Sequence, residues 1–186
     1  MGLLFVNSCL RKGSRTERLA RMWLRGYEGD VTEVNLADTE IAPLDASSIV
    51  TYGDAVVQAD YTDAMFDVPR QFATADEILV AAPLWNFSLP AKLHDYLELV
   101  CSQGITFDVG VAGAYVSLVR ARRLVFVGTS GGLWPQEADD HAFGYLETLC
   151  RRFWHIGRVE KVIAEGLDAL GCDVDEALAA AIGNSL

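Results

Sequence analysis

Ile78-Leu79-Val80-Ala81-Ala82-Pro83-Leu84-Trp85-Asn86-Phe87-Ser88-Leu89-Pro90-Ala91-Lys92-Leu93 reads as a strand, a loop and the start of a helix. The apolar run Ile78 to Ala82 suits a strand covered on both faces, and Pro83 ends it because proline has no amide to give a ladder. Leu93, Tyr96, Leu97 and Val100 then recur at helical spacing, with Pro90 acceptable only in the first turn.

The same order of elements recurs on either side. Leu3 to Asn7 is a short apolar strand, and after a loop containing Gly13 the residues Leu19, Met22 and Trp23 mark one face of a helix. Val31 to Leu36 alternates as a second strand, 37–48 reads as loop, and Ala55 to Phe72 reads as a helix whose end Pro69 blurs. Val116 to Val119 reads as a short extra strand or hairpin arm. Leu124 to Val127 is a strand, Phe143 to Phe153 a helix, Val159 to Ala164 the last strand and Asp173 to Ile182 the last helix. Five strands separated by helices predict an α/β three-layer sandwich over 1–186 as one domain, because parallel strands need crossovers and helices supply them. In the flavodoxin-like strand order 2-1-3-4-5, ligands sit beyond the carboxyl ends at the switch point.

Composition narrows the partners. The chain has 186 residues, 51% of them hydrophobic and 22% charged, enough for a sizeable core without staples. Its net charge of -11 argues against nucleic acid and anionic membranes as partners. No apolar run approaches the length of a membrane span, and Leu3 to Val6 is too short for a secretory signal, so the cytoplasm is expected. Cys9, Cys101, Cys150 and Cys172 lie far apart, which suggests neither a zinc site nor a disulfide framework. The charge is uneven: Arg11, Lys12, Arg15, Arg18, Arg21 and Arg25 face only Glu17, whereas 27–80 holds twelve carboxylates and one arginine. Such a basic run is either a solvated helix face or a receiver of a small anion.

Three loops at the carboxyl ends decide what the sheet can hold. After strand one, Gly13 permits a tight turn, and the hydroxyls of Ser14 and Thr16 with the free amides of 15–17 suit a phosphate at a helix N-terminus. Ser14-x-x-Glu17 is equally a helix capping box, and Glu17 repels a phosphate unless its side chain turns away. No GxGxxG or Walker pattern is present. After strand three, apolar Trp85 and Phe87 around polar Asn86 suit a planar heteroaromatic ring. After strand four, Thr129-Ser130-Gly131-Gly132 offers backbone amides at close range.

The sequence resembles the FMN-dependent NADH-azoreductases and related NAD(P)H:quinone reductases of the flavodoxin-like fold. Ser8, the Gly13-Ser14-x-Thr16 turn, Ala82 through Leu93, Gly104 to Phe107, Thr129 to Gly132 and Ala164-Glu165-Gly166 carry the likeness, the Ala82 to Leu93 block after strand three most specifically. The resemblance implies that Ser8, Ser14, Arg15 and Thr16 hold the FMN phosphate and ribityl chain. It implies that Pro83, Leu84, Trp85, Asn86 and Phe87 flank the ring, and that Thr129, Ser130, Gly131 and Gly132 meet its pyrimidine end. NADH or NADPH would donate and a quinone or azo compound accept, in a ping-pong cycle at one shared site. No side chain is required as acid, since water can protonate the product; His141 is the best placed of the three histidines for that role. Phe107 and Trp134 join Trp85 and Phe87 as substrate-facing aromatics, too apolar to leave open on a monomer, so a homodimer is expected. The segment between strands two and three is short for the family, and 108–115 follows no family pattern. A flavodoxin-type electron carrier and a flavin-free regulatory relative are the rival readings.

Overall fold

A computed structural model describes residues 2–183. Its five-stranded sheet has the order β2-β1-β3-β6-β7, with β1 at Gly2–Asn7, β2 at Asp30–Asn35, β3 at Glu77–Pro83, β6 at Arg123–Thr129 and β7 at Arg158–Ala164. All its pairings are parallel. Counted along this sheet alone, that is the expected order 2-1-3-4-5. The remaining strands, β4 (Phe107–Val109) and β5 (Tyr115–Ser117), form a separate antiparallel hairpin, which is the arm foreseen near Val116.

Alternation along the strands sorts the core into two layers. Leu3, Phe5, Leu79, Ala81, Val125 and Val127 face α1 (Arg15–Leu24) and α6 (Val174–Gly183), where Leu19, Ala20, Leu178 and Ala181 meet them. Leu4, Val6, Ile78, Val80, Leu124 and Phe126 face the other way, onto Phe72 of α3 (Asp67–Thr74), Leu93 and Tyr96 of α4 (Ala91–Val100) and Leu146 of α5 (Phe143–Leu149). The central strands are therefore apolar at nearly every position, as strands buried on both faces must be. No helix among the described residues is long and apolar enough to cross a membrane.

Two boundaries differ from the sequence reading. The stretch expected as a helix from Ala55 to Phe72 is two helices, and the first, α2 (Ala46–Gln58), begins inside the expected loop. Asp45 starts it: its carboxylate accepts from the amides of Ser47 and Ser48, while Ser48 Oγ accepts from the Asp45 amide. Ala59, at φ 53°, ends it. Only Ala55 of α2 is buried, so no apolar stripe announces the helix. Pro69 then sits in the first turn of α3, where its missing amide needs no intrahelical partner. At the other end, α5 passes into a π-helical turn, Cys150–Trp154, that closes on His155 in the left-handed region and buries Trp154 against Phe72 at 4.6 Å between ring centres.

Gly128 shows how tightly β6 is enclosed near the site. A methyl group there would stand 2.7 Å from Trp134, 2.8 Å from Phe126 and 2.9 Å from Ile163. Overpacking of this kind costs about 1–3 kcal/mol. Gly128→Ala is therefore expected to lower the thermal midpoint by several degrees, with an unchanged midpoint contradicting the packing described.

Candidate functional site

The loops after β1, β3 and β6 meet in a cleft of about 220 Å³. Hydrogen bonds that continue the sheet ladder beyond the strands hold them together. The Ser8 amide donates to Ala81 O at 2.9 Å, that of Leu84 to Thr129 O at 2.9 Å, and that of Ser130 to Ala164 O at 3.1 Å.

The first loop is shaped from its start. Asn7 Oδ1 accepts from the Cys9 amide at 3.1 Å, an Asx turn that bends the chain off β1. Ser14 caps α1, accepting from the Glu17 amide at 3.3 Å, and is buried. Its reciprocal partner is absent from the capping box, because Glu17 Oε1 is held by Arg21 at 3.3 Å and lies 3.5 Å from Asn7 Nδ2. The acid next to the helix N-terminus is thus turned aside. The amides of Arg15 and Thr16 find no acceptor among the described residues. Thr16 Oγ1 and Thr129 Oγ1, both buried, lie 2.6 Å apart. One of these hydroxyls donates to the other, which leaves a single proton for a ligand. Arg15 Nη1 reaches across to Leu167 O at 2.9 Å and Asp168 Oδ1 at 2.7 Å.

The second loop is a two-residue hairpin. Trp85 and Ser88 exchange backbone hydrogen bonds of 3.0 Å, and the two residues between them, Asn86 at φ 51° and Phe87 at φ 63°, are both left-handed. Two positive φ angles define the tight hairpin turn that usually takes Asn-Gly. Here it projects Trp85, 44% exposed, and Phe87, 60% exposed, at the mouth of the cleft. The third loop is closed by Ser130 Oγ, which donates to Gly132 O at 2.7 Å, and by the Gly166 amide, which donates to the same oxygen at 2.8 Å.

Of the residues singled out from the sequence, Ser14, Arg15, Thr16, Pro83, Leu84, Trp85, Thr129 and Gly131 line the cleft. Asn86, Phe87, Ser130 and Gly132 flank it within the same loops. Ser8 is fully buried at the end of β1, and its hydroxyl has no partner among the described residues. Two aromatics stand elsewhere than expected. Trp134 is a core residue: its ring packs on Phe126 at 5.9 Å and its indole N–H donates to Asp140 Oδ2 at 2.8 Å. Phe107 belongs to an aromatic cluster under the β4–β5 hairpin, 4.6 Å from Phe153 and 5.6 Å from Tyr115. His141 is exposed, and its backbone runs beside Ser88, whose Oγ lies 3.4 Å from His141 O and 3.2 Å from His94 Nε2.

Four wall residues are not among those assigned to the cofactor from the sequence: Cys9, Leu10, Asp168, and Arg11, which the sequence marks only as part of the basic run. Leu10 and Arg11 were legible in principle, since they lie between Ser8 and Ser14. Burial pushes the Cys9 thiol up to about 12, so it stands in the wall as a neutral group and not as a nucleophile. The arrangement brings donors from the β1 loop, an apolar wall from the β3 loop and one glycine, Gly131, into the same cleft. Free helix amides with a buried, unpartnered serine hydroxyl fit a phosphate, and the shelf of Pro83, Leu84 and Trp85 fits a flat ring.

A family model described as the flavodoxin-like fold matches residues 1–185. An FMN-dependent NADH:quinone oxidoreductase of Shewanella loihica is 29% identical over 181 residues, covering 94% of this chain and 90% of that protein. One from Clostridium perfringens is 33% identical over 168 residues, covering 88% of this chain and 84% of that protein. An azoreductase from Bacillus anthracis superposes over 100% of this chain and 96% of its own with a TM-score of 0.83 at 21% identity. An FMN-dependent NADH-azoreductase of the same species, in complex with FMN, does so over 100% and 96% with a TM-score of 0.81 at 21% identity. At that level of identity the two structures speak for the fold, and it is the sequence relatives that place the chain more narrowly. The chain belongs to the flavodoxin-like family and, within it, to the FMN-dependent NADH:quinone oxidoreductases.

Proposed function

We propose that residues 1–186 act as one FMN-binding domain that moves two electrons from NADH or NADPH to a quinone or azo compound. The observation that carries this reading is the pairing, in one cleft, of unsatisfied donors at the N-terminus of α1 with an apolar shelf from the β3 loop. Held in this cleft, FMN would supply the two-electron redox chemistry, with donor and acceptor using the one site in turn, a ping-pong cycle. The protein's part is to bind, orient and exclude water. Ser14 Oγ, the amides of Arg15 and Thr16, and the spare proton of the Thr16–Thr129 pair would hold the phosphate. Pro83, Leu84 and Trp85 would support the ring, and the amides around Gly131 would face negative charge at its pyrimidine edge. Solvent supplies the product's proton, so His141, exposed and outside the cleft wall, is left without a required role. The four cysteines are free, in keeping with a reducing, cytoplasmic setting.

Trp85 and Phe87 remain open at the cleft mouth, with Leu133, 80% exposed, just past Gly132. We infer that a second copy of the chain covers them, completing the wall around the ring.

Three outcomes test this reading. Heat-released cofactor should be FMN by chromatography, and anaerobic NADH should bleach the protein-bound flavin spectrum; bound flavin with no steady NADH consumption in the presence of a quinone would make the protein an electron carrier instead. Ser14→Ala removes a donor to a charged group, worth about 1.5–3 kcal/mol, and should weaken FMN binding about tenfold or more while the fold survives. Unchanged affinity would reduce Ser14 to a helix cap. In sedimentation across the micromolar range, activity should fall in step with dissociation, and a fully active monomer would remove the shared wall.

A further inference from the structure

Asp168 is the one carboxylate among the residues lining the cleft. It stands on the loop between β7 and α6, where its amide donates to Gly131 O at 2.9 Å. Its carboxylate lies over Gly131, so close that an added methyl there would collide with Oδ2. Its other oxygen accepts from Arg15 Nη1 at 2.7 Å, the nitrogen that also serves Leu167 O at 2.9 Å. Arg15 is the first residue of α1, next to the free amides. The side chains are 24% exposed for Arg15 and 69% for Asp168, and a pair so open to solvent adds little to the stability of the fold.

The consequence concerns any anion at the helix N-terminus. The Arg15 guanidinium is drawn toward the β7–α6 loop, and a solvated negative charge stands in the same cleft as the free amides. Glu17, the other acid at this turn, is tied down by Arg21, which makes Asp168 the opposing charge that remains.

We propose that Asp168 sets the strength of phosphate binding in this cleft, weakening the hold on a phosphate-bearing flavin by occupying Arg15 and by its own charge. The inference rests on the FMN reading given under the proposed function and specifies the phosphate end of that site. Asp168→Asn keeps the shape and an oxygen for Arg15 while removing the charge, and the exposed position leaves the fold undisturbed. The full chain, loaded with FMN or with riboflavin in its place, is diluted serially and the released flavin read by fluorescence. Asp168→Asn should lower the FMN dissociation constant about fivefold and leave that of riboflavin, which has no phosphate, unchanged; the gain should shrink in high salt. An FMN constant that is unchanged or raised overturns the proposal, as does equal tightening of both flavins. Wild-type protein that retains neither flavin at any concentration defeats the FMN reading itself, and with it this inference.

Discussion

β1, β3 and β6 are covered on both faces, so their backbone amides and carbonyls have only one another as partners, and the parallel ladder that results dictates where everything else goes. Each connection has to cross a face of the sheet, which places the helices, and each strand has to end at the same edge, which brings the three loops together. The ladder does not stop at the last strand residue. The amides of Ser8, Leu84 and Ser130 carry it one step further, and the buried contact of Thr16 with Thr129 fastens the start of α1 to the end of β6. The cleft is therefore an extension of the sheet.

The parts legible in the sequence were those governed by burial. Ile78 to Ala82 and Leu124 to Val127 are apolar because both their faces are covered, and a run of that kind has few other readings. α2 escaped because it is held by polar chemistry at its start, from Asp45 and Ser48, and buries almost nothing. Trp134 was misplaced for a related reason: its partner Asp140 lies six residues on, beyond a loop, and nothing in the local pattern tells that the indole turns inward to meet it. Within the site, Ser14, Thr16 and the Pro83 to Trp85 stretch were readable from residue type at a strand end. Asp168 was not, because it comes from the β7–α6 loop and reaches the cleft only by folding back over Gly131, which no local pattern announces.

The basic run of the first helix divides into two kinds of arginine. Arg18 pairs with Asp175 of α6, and Arg21 with Glu33 of β2 at 2.7 Å, so these belong to the packing of α1 on its neighbours. Burial alone would raise the Glu33 carboxyl, but hydrogen bonds from Arg21 and Asn7 outweigh it and hold the group below its usual range. Arg11, on the cleft wall, and Lys12 beside it stand exposed. The stretch is thus not one uniform face: Arg18 and Arg21 are paired to neighbouring elements, while Arg11 and Lys12, ahead of the helix, stay open to solvent.

The hairpin at Asn86 and Phe87 has a bearing on how this protein can be altered. Asparagine tolerates the left-handed region, but a phenylalanine there carries a backbone penalty of about 1–2 kcal/mol that glycine would not. A sequence selected for heat resistance alone would place glycine at position 87 and thereby erase an aromatic side chain from the mouth of the cleft. Thermostability and a complete cleft mouth pull in opposite directions at this one residue, so stabilising changes are better sought far from it.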